Sequence, residues 1–211
     1  MDKPQEIVIK LLSDSTIGTN YRTYGRVDIE IDYTDEGLPI IRGKIIHGLL
    51  RDSWLSMANY FKDLQRAAER ILGPEGGLME RAILRIGDAT LNEDVIKWAH
   101  YAVNRRENPL HPMLILESLT DVRTQTSIDQ RTGCAKEGSL RSSRVILRET
   151  EFYAPLQWYE NPTEDDLCCL LMCVWATRHA GLGRNRGRGF IQMNLKPIDE
   201  QLLFKQIEKK V

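Results

Sequence analysis

The sequence predicts an α+β fold: a ferredoxin-like (RRM-like) βαββαβ core carrying two insertions. Three observations predict it. Short apolar runs and longer stretches with three-and-four spacing follow one another in the order strand, helix, strand, strand, helix, strand. Two polar stretches, 13–38 and 107–150, are too long for ordinary connections and so read as insertions. The apolar fraction of 42% is spread along all 211 residues, enough to bury one core in a single domain spanning 1–211, with core segments at about 5–12, 43–72, 82–106 and 151–196.

The elements follow in chain order. Ile7, Ile9 and Leu11 alternate with Val8, Lys10 and Leu12, too apolar on both sides for an edge, so residues 6–12 read as a central strand. Between 43 and 72 the residues Ile45, Ile46, Leu49, Leu50, Trp54, Met57 and Phe61 recur at helical spacing, and Gly73-Pro74 stops the helix, which is broken at most once. AILRIGDATL (82–91) suits a second strand. Asn92 then caps a helix with Val95, Ile96, Ala99 and Val103 on one side. From 107 to 150 periodicity fails and basic residues dominate, the pattern of a functional projection. EFYAPLQW (151–158) is the third strand. Thr163 and the acids Glu164, Asp165 and Asp166 form a capping-box start, and LCCLLMCVWA behind it is apolar on nearly every side, as in a buried helix. Residues 190–195 supply the last strand.

Charge excludes a uniformly basic nucleic-acid binder, with 29 basic and 30 acidic side chains for a net charge of −1. The signs are segregated, however. Residues 27–38 carry Asp28, Glu30, Asp32, Asp35 and Glu36 and no base. Residues 122–148 carry Arg123, Arg131, Lys136, Arg141, Arg144 and Arg148 against two acids, and 178–190 adds four arginines with no acid. Of the four cysteines, Cys134, Cys168, Cys169 and Cys173, three crowd into one apolar stretch without zinc or disulfide spacing, which predicts buried reduced thiols. No apolar run reaches the roughly 20 residues that cross a bilayer, and the first residues lack the pattern of a signal peptide, so a cytoplasmic protein with no membrane partner is expected.

Two segments point to phosphate. GLGRNRGRG (181–189) combines glycines that permit positive φ and close backbone approach with Arg184, Arg186 and Arg188. It is neither a dinucleotide fingerprint nor a P-loop, because the third glycine falls out of place and no Gly-Lys-Ser/Thr follows. The competing reading is a tight turn with solvated arginines. In GLPIIRGKIIHGLLRD (37–52), Arg42 and Lys44 flank the first amides of the long helix, where anions are favoured. An ordinary helix start with solvated bases reads equally well. His47, His100, His111 and His179 form no metal-ligand spacing.

Taken together, LLSDSTIGTN with the acidic segment and GLPIIRGKIIHGLLRD, then TQTSIDQRTGCAKEGSLRSSRVILRETEFYAPL (124–156), then GLGRNRGRGF resemble the RAMP superfamily of CRISPR effector proteins. The likeness is greatest to the Cas-group-seven backbone subunits of type III (Csm/Cmr-type) complexes. The second piece is similar to that family's Ile-Asp-Arg-x-Thr-Gly-x-Ala thumb, with Gln130 in place of the usual arginine. The resemblance implies that 107–150 is a thumb-like insertion and that the chain binds crRNA, meets target RNA and assembles with other effector subunits, including copies or paralogues of itself. Carried over residue by residue, it places Arg42, Lys44, Arg51, Gly183, Arg184, Arg186, Gly187 and Arg188 along the guide RNA. Arg123, Arg131, Arg141 and Arg144 fall in the thumb and its base, with Ile128 and Leu140 as candidate wedges between bases.

The resemblance also implies chemistry. In cleaving members an aspartate about a dozen residues before the Leu-Pro pair promotes attack of the target's 2′-hydroxyl on the neighbouring phosphate, with a divalent ion, magnesium or manganese, assisting. Asp28 stands at that distance, and Asp32 is the second candidate; no metal ligands can be assigned. Were 28–32 a strand, Asp28, Glu30 and Asp32 would share one face, and a solvated edge strand accounts for them equally well. Two further functions fit the residues: a non-catalytic, Cas-group-five-like cap of the crRNA 5′ end, and a ferredoxin-like metal-dependent enzyme on small nucleotides.

Overall fold

A computed structural model describes residues 3–18, 27–74 and 82–197. Positions 19–26 of the acidic insertion lie outside the described residues.

Four strands form the central sheet: β1 (Glu6–Leu11), β2 (Leu84–Ile86), β5 (Glu151–Trp158) and β6 (Ile191–Lys196), in the spatial order β2-β5-β1-β6 with every neighbour antiparallel. This is the interleaved pair of split βαβ units that the element order predicts. Register aligns the inward side chains across the sheet. Ile7 lies opposite Ala154 and Leu195, Ile9 opposite Phe152 and Met193, and Leu11 opposite Ile191. All of these are buried.

Three helices cover that face. The predicted 43–72 helix is broken once, into α1 (Gly43–Met57) and α2 (Gln65–Leu72), joined through a single 3₁₀ turn at Lys62–Leu64. The third, α5 (Glu164–Ala176), starts with the predicted capping box: Thr163 Oγ1 accepts from the Asp166 amide, and the Asp166 carboxylate accepts from the Thr163 amide. Residues 167–174 are buried without exception. Cys168, Cys169 and Cys173 are reduced thiols in no disulfide there, and a hydrogen bond with Cys173, together with burial, pushes the Cys169 thiol up, so it stays protonated. Cys134, by contrast, is exposed.

The second insertion differs from the sequence reading in extent and content. Only Leu84–Ile86 of the 82–91 run pairs as a strand. The helix after it, α3 (Glu93–Asn104), capped by Asn92 as predicted, precedes α4 (Pro112–Leu119) and a hairpin of β3 (Thr120–Gln125) and β4 (Arg141–Ile146). The insertion between the middle core strands therefore runs from 87 to 150. The reason for the misreading is physical: α3 is amphipathic like any core helix, whereas β3 is exposed over most of its length and so shows no apolar alternation.

Strand direction decides where the charged segments meet. β1 and β2 run one way, β5 and β6 the other, so the ends of β1 and β2 and the beginnings of β5 and β6 share one end of the sheet. Both insertions, the start of α1 and the glycine-arginine loop attach at that end. The loop leads into β6, and the start of α1 lies against the end of β2, the strand at the opposite margin of the sheet.

Candidate nucleic-acid interface

The glycine-arginine loop is shaped by its glycines. Gly181, Gly183, Gly187 and Gly189 have φ between 73° and 79°. Gly183 and Gly187 bracket a 3₁₀ turn, Arg184–Arg186, closed by the Arg186 amide on the Gly183 carbonyl. A Cβ on Gly181 would lie 2.1 Å from the Thr16 carbonyl oxygen, whereas one on Gly187 would meet nothing within 4 Å. Gly187→Ala is therefore expected to cost about 1–2 kcal/mol, the penalty of left-handed backbone alone. Gly181→Ala should cost clearly more, because the loop must move off Thr16. Urea unfolding of the two variants checks the order.

This loop forms one wall of an open groove of about 810 Å³. Gly181, Leu182, Gly183, Arg184 and Arg186 line that side; Gln125 of β3 and Arg141, Ser142 and Ser143 of β4 line the other; Ile29 and His179 complete it. Two stretches some forty residues apart in the chain thus bring Arg141, Arg184 and Arg186, all exposed, to one cavity. Arg188 stands behind them: with the Gln125 amide oriented oxygen-inward, its guanidinium donates to that oxygen at 3.0 and 3.2 Å.

The acidic segment is not a strand, and Asp28, Glu30 and Asp32 do not share a face. Asp28 is exposed and fastens the groove wall: its Oδ2 accepts from the Ser142 amide at 2.7 Å and the Ser142 hydroxyl at 3.0 Å. Glu30 is buried against Arg144, with Nε to Oε1 at 2.8 Å. Asp32 faces Arg42 at 3.5 Å.

Several predicted contacts point elsewhere. Arg144 lies inside, on Glu30 and the Thr120 hydroxyl. Arg51 donates to the carbonyls of Leu72, Gly73 and Pro74, so it caps the end of α2. His47 does the same through Nε2 on Leu72, and burial holds its imidazole below the ordinary value, so it is a neutral packing residue. At the start of α1 the anion is already supplied by the protein: Asp88 accepts from the Gly43 amide at 2.8 Å and from Arg42 at 2.9 Å. Burial alone would raise the Asp88 carboxyl, but the Gly43 amide, Arg42 and Lys44 outweigh it and hold it below the usual range. Neither Arg42 nor the exposed Lys44 lines the groove. Arg123 pairs with Asp14 and Asp121. Arg131 sits exposed at the hairpin tip with Ile128 and Leu140.

The sequence reading missed Gln125, Ser142, Ser143, Leu182 and His179 as groove residues. A signal existed for the last: His179 and Phe190 bracket the loop, pair as a β-bridge and place their rings 4.2 Å apart.

A family model described as the RAMP superfamily matches residues 8–192. The chain belongs to the RAMP superfamily. Solved structures agree in fold. Type III-B Cmr-beta, seen by cryo-EM bound to cognate target RNA and in the apo state, gives a TM-score of 0.67 in each case at 10% identity, over 92% of this chain and 97% of that one. The crystal structure of Cmr4 gives 0.50 at 14% identity over 93% and 100%. No curated protein matches the sequence. Within this RAMP fold the cationic groove lies at the end of the sheet where both insertions attach, and among the described residues no helix is long and apolar enough to cross a membrane.

Proposed function

We propose that this RAMP protein is a crRNA-binding subunit of a type III CRISPR interference complex, working in the cytoplasm beside copies or paralogues of itself and positioning target RNA on the guide. One observation carries the reading: Arg141 from the base of the hairpin and Arg184 and Arg186 from the glycine loop line a single groove. Arginines and backbone amides grip a ribose-phosphate strand by shape and charge, and sequence is left to base pairing. Purification from the native host and sequencing of bound RNA tests it. Repeat-derived guides are expected; recovery without RNA, or with unrelated transcripts only, would overturn it.

Cleavage of the target is the second part of the proposal. Among the described residues no group of three or more His, Cys, Asp or Glu side chains is placed to hold an ion; a divalent ion assisting the reaction would be held by one or two carboxylates together with the phosphates of the RNA. What Asp28 can do alone is accept the proton of a 2′-hydroxyl as its oxygen attacks the adjacent phosphorus; the bond from phosphorus to the 5′-oxygen of the next nucleotide breaks, that oxygen takes a proton from water, and a 2′,3′-cyclic phosphate is left. Its bonds to Ser142 also fit a second reading, a strut in a non-catalytic subunit capping the guide. Asp28→Asn separates the two, since the amide oxygen still accepts from Ser142 but cannot serve as a base. Loss of cutting of a guide-paired RNA with unchanged assembly is the expected result; undiminished cutting would leave Asp28 a strut.

A further inference from the structure

Helix α3 has a side that the core does not use. Its buried Ala99 and Ala102 and half-buried Ile96 and Val103 turn inward. Away from them lie Asp94, Trp98, Tyr101 and Arg105, at spacings of four, three and four, which keep side chains on one face of a helix. All four are exposed, Trp98 by 56% and Tyr101 by 68%. Arg105 belongs to the stripe because it is the C-cap residue, its amide still bonded to the Tyr101 carbonyl. None of the four lines the groove. Large aromatic side chains one turn apart on a regular helix are the material of protein interface centres, where their area is buried at little cost in side-chain freedom.

The order of charge along the stripe names the partner. From its start α3 presents acid, aromatic, aromatic, base, a pattern that is its own complement when reversed. A second α3 laid antiparallel, with Trp98 of each copy opposite Tyr101 of the other, sets Asp94 of each against Arg105 of the other. A parallel pair would oppose acid to acid and base to base. The two charges are available for this: among the described residues neither Asp94 nor Arg105 is in an ion pair, and the Arg105 side chain is anchored through Nε, which donates to the Asn108 carbonyl at 2.7 Å. Glu93, by contrast, is engaged by Lys97 on its own helix at 2.9 Å, so Asp94 carries the match.

We infer that two copies of this chain associate through α3, antiparallel across a twofold axis, with the aromatic pairs at the centre and an Asp94–Arg105 ion pair at each end. Such a contact closes on itself as a dimer, whereas a head-to-tail contact propagates. One helix side on each copy is less than a standard interface, so the association is weak. The inference goes beyond the RNA-binding reading and does not depend on it.

Sedimentation equilibrium of the full chain without RNA tests it. The wild type should pass from monomer to dimer as its concentration rises toward roughly 1 mM, the scale of weak specific association. Trp98→Ala should raise the dissociation constant by about thirtyfold or more, the loss expected of a central aromatic anchor. Asp94→Arg and Arg105→Asp should each weaken self-association by about tenfold or more, because each sets like charges together at both ends of the contact. Mixed in equal amounts, these two variants should associate with each other, since antiparallel pairing then opposes two arginines to two aspartates. A wild type that stays monomeric up to roughly 1 mM, or a mixture no more associated than its separate components, would overturn the inference.

Discussion

Glu30→Ala is expected to destabilise the fold by about 3–5 kcal/mol, because it leaves the Arg144 guanidinium buried without its counter-charge. The two side chains are 10% and 5% exposed, so solvent offers little relief. Arg144 is held from several directions. Its Nη1 donates to Thr120 Oγ1, which itself donates to the Leu116 carbonyl at the end of α4, and its own carbonyl accepts from the Thr16 hydroxyl. The pair thus ties the acidic segment to β3, β4 and α4 at the base of the hairpin. Replacing both residues with apolar ones, Glu30→Leu with Arg144→Met, should recover most of the loss, since a buried pair is strong evidence of mutual dependence and weak evidence of net stabilisation. Urea unfolding gives both values. A loss below about 1 kcal/mol for Glu30→Ala would mean that the guanidinium reaches water.

Substituting Arg141, Arg184 and Arg186 together by alanine should weaken binding of single-stranded RNA on the order of a hundredfold. Each charge-assisted hydrogen bond contributes about 1.5–3 kcal/mol, and the three are coupled rather than additive. The loss should be the same for unrelated sequences, because phosphate contacts carry no sequence information. Arg51→Ala is the internal control: its guanidinium caps α2, so unfolding should become easier while RNA affinity holds. If Arg51→Ala weakened RNA as much as the triple substitution, the groove would not be the binding surface.

The core was legible because its physics is local. Apolar period, the Thr163 capping box and the Gly73 stop each act within a few residues, and together they give the order of the six core elements. The hairpin escaped because β3 shows its side chains to solvent, leaving no alternation to read. The arginines divide for a reason no spacing reveals: Arg141 and Arg144 lie three residues apart on one strand, yet the first opens onto the groove and the second meets Glu30, 114 positions away in the chain. The helix start reads the same way. Gly43 and Arg42 look like an anion site until Asp88, 45 positions on from Gly43, supplies the carboxylate. Segregated charge is what the sequence does display, and it marks segments that meet without saying which acid takes which base.

The claim that the hairpin base and the glycine-arginine loop form one surface for a ribose-phosphate strand is tested most directly by the salt dependence of RNA binding. The logarithm of affinity should fall steeply with the logarithm of salt concentration in the wild type. In the Arg141, Arg184 and Arg186 triple variant the slope should be shallower by about 2, near 0.7 for each phosphate contact removed from a single strand. An unchanged slope in that variant would place the bound strand elsewhere on the molecule and contradict the account.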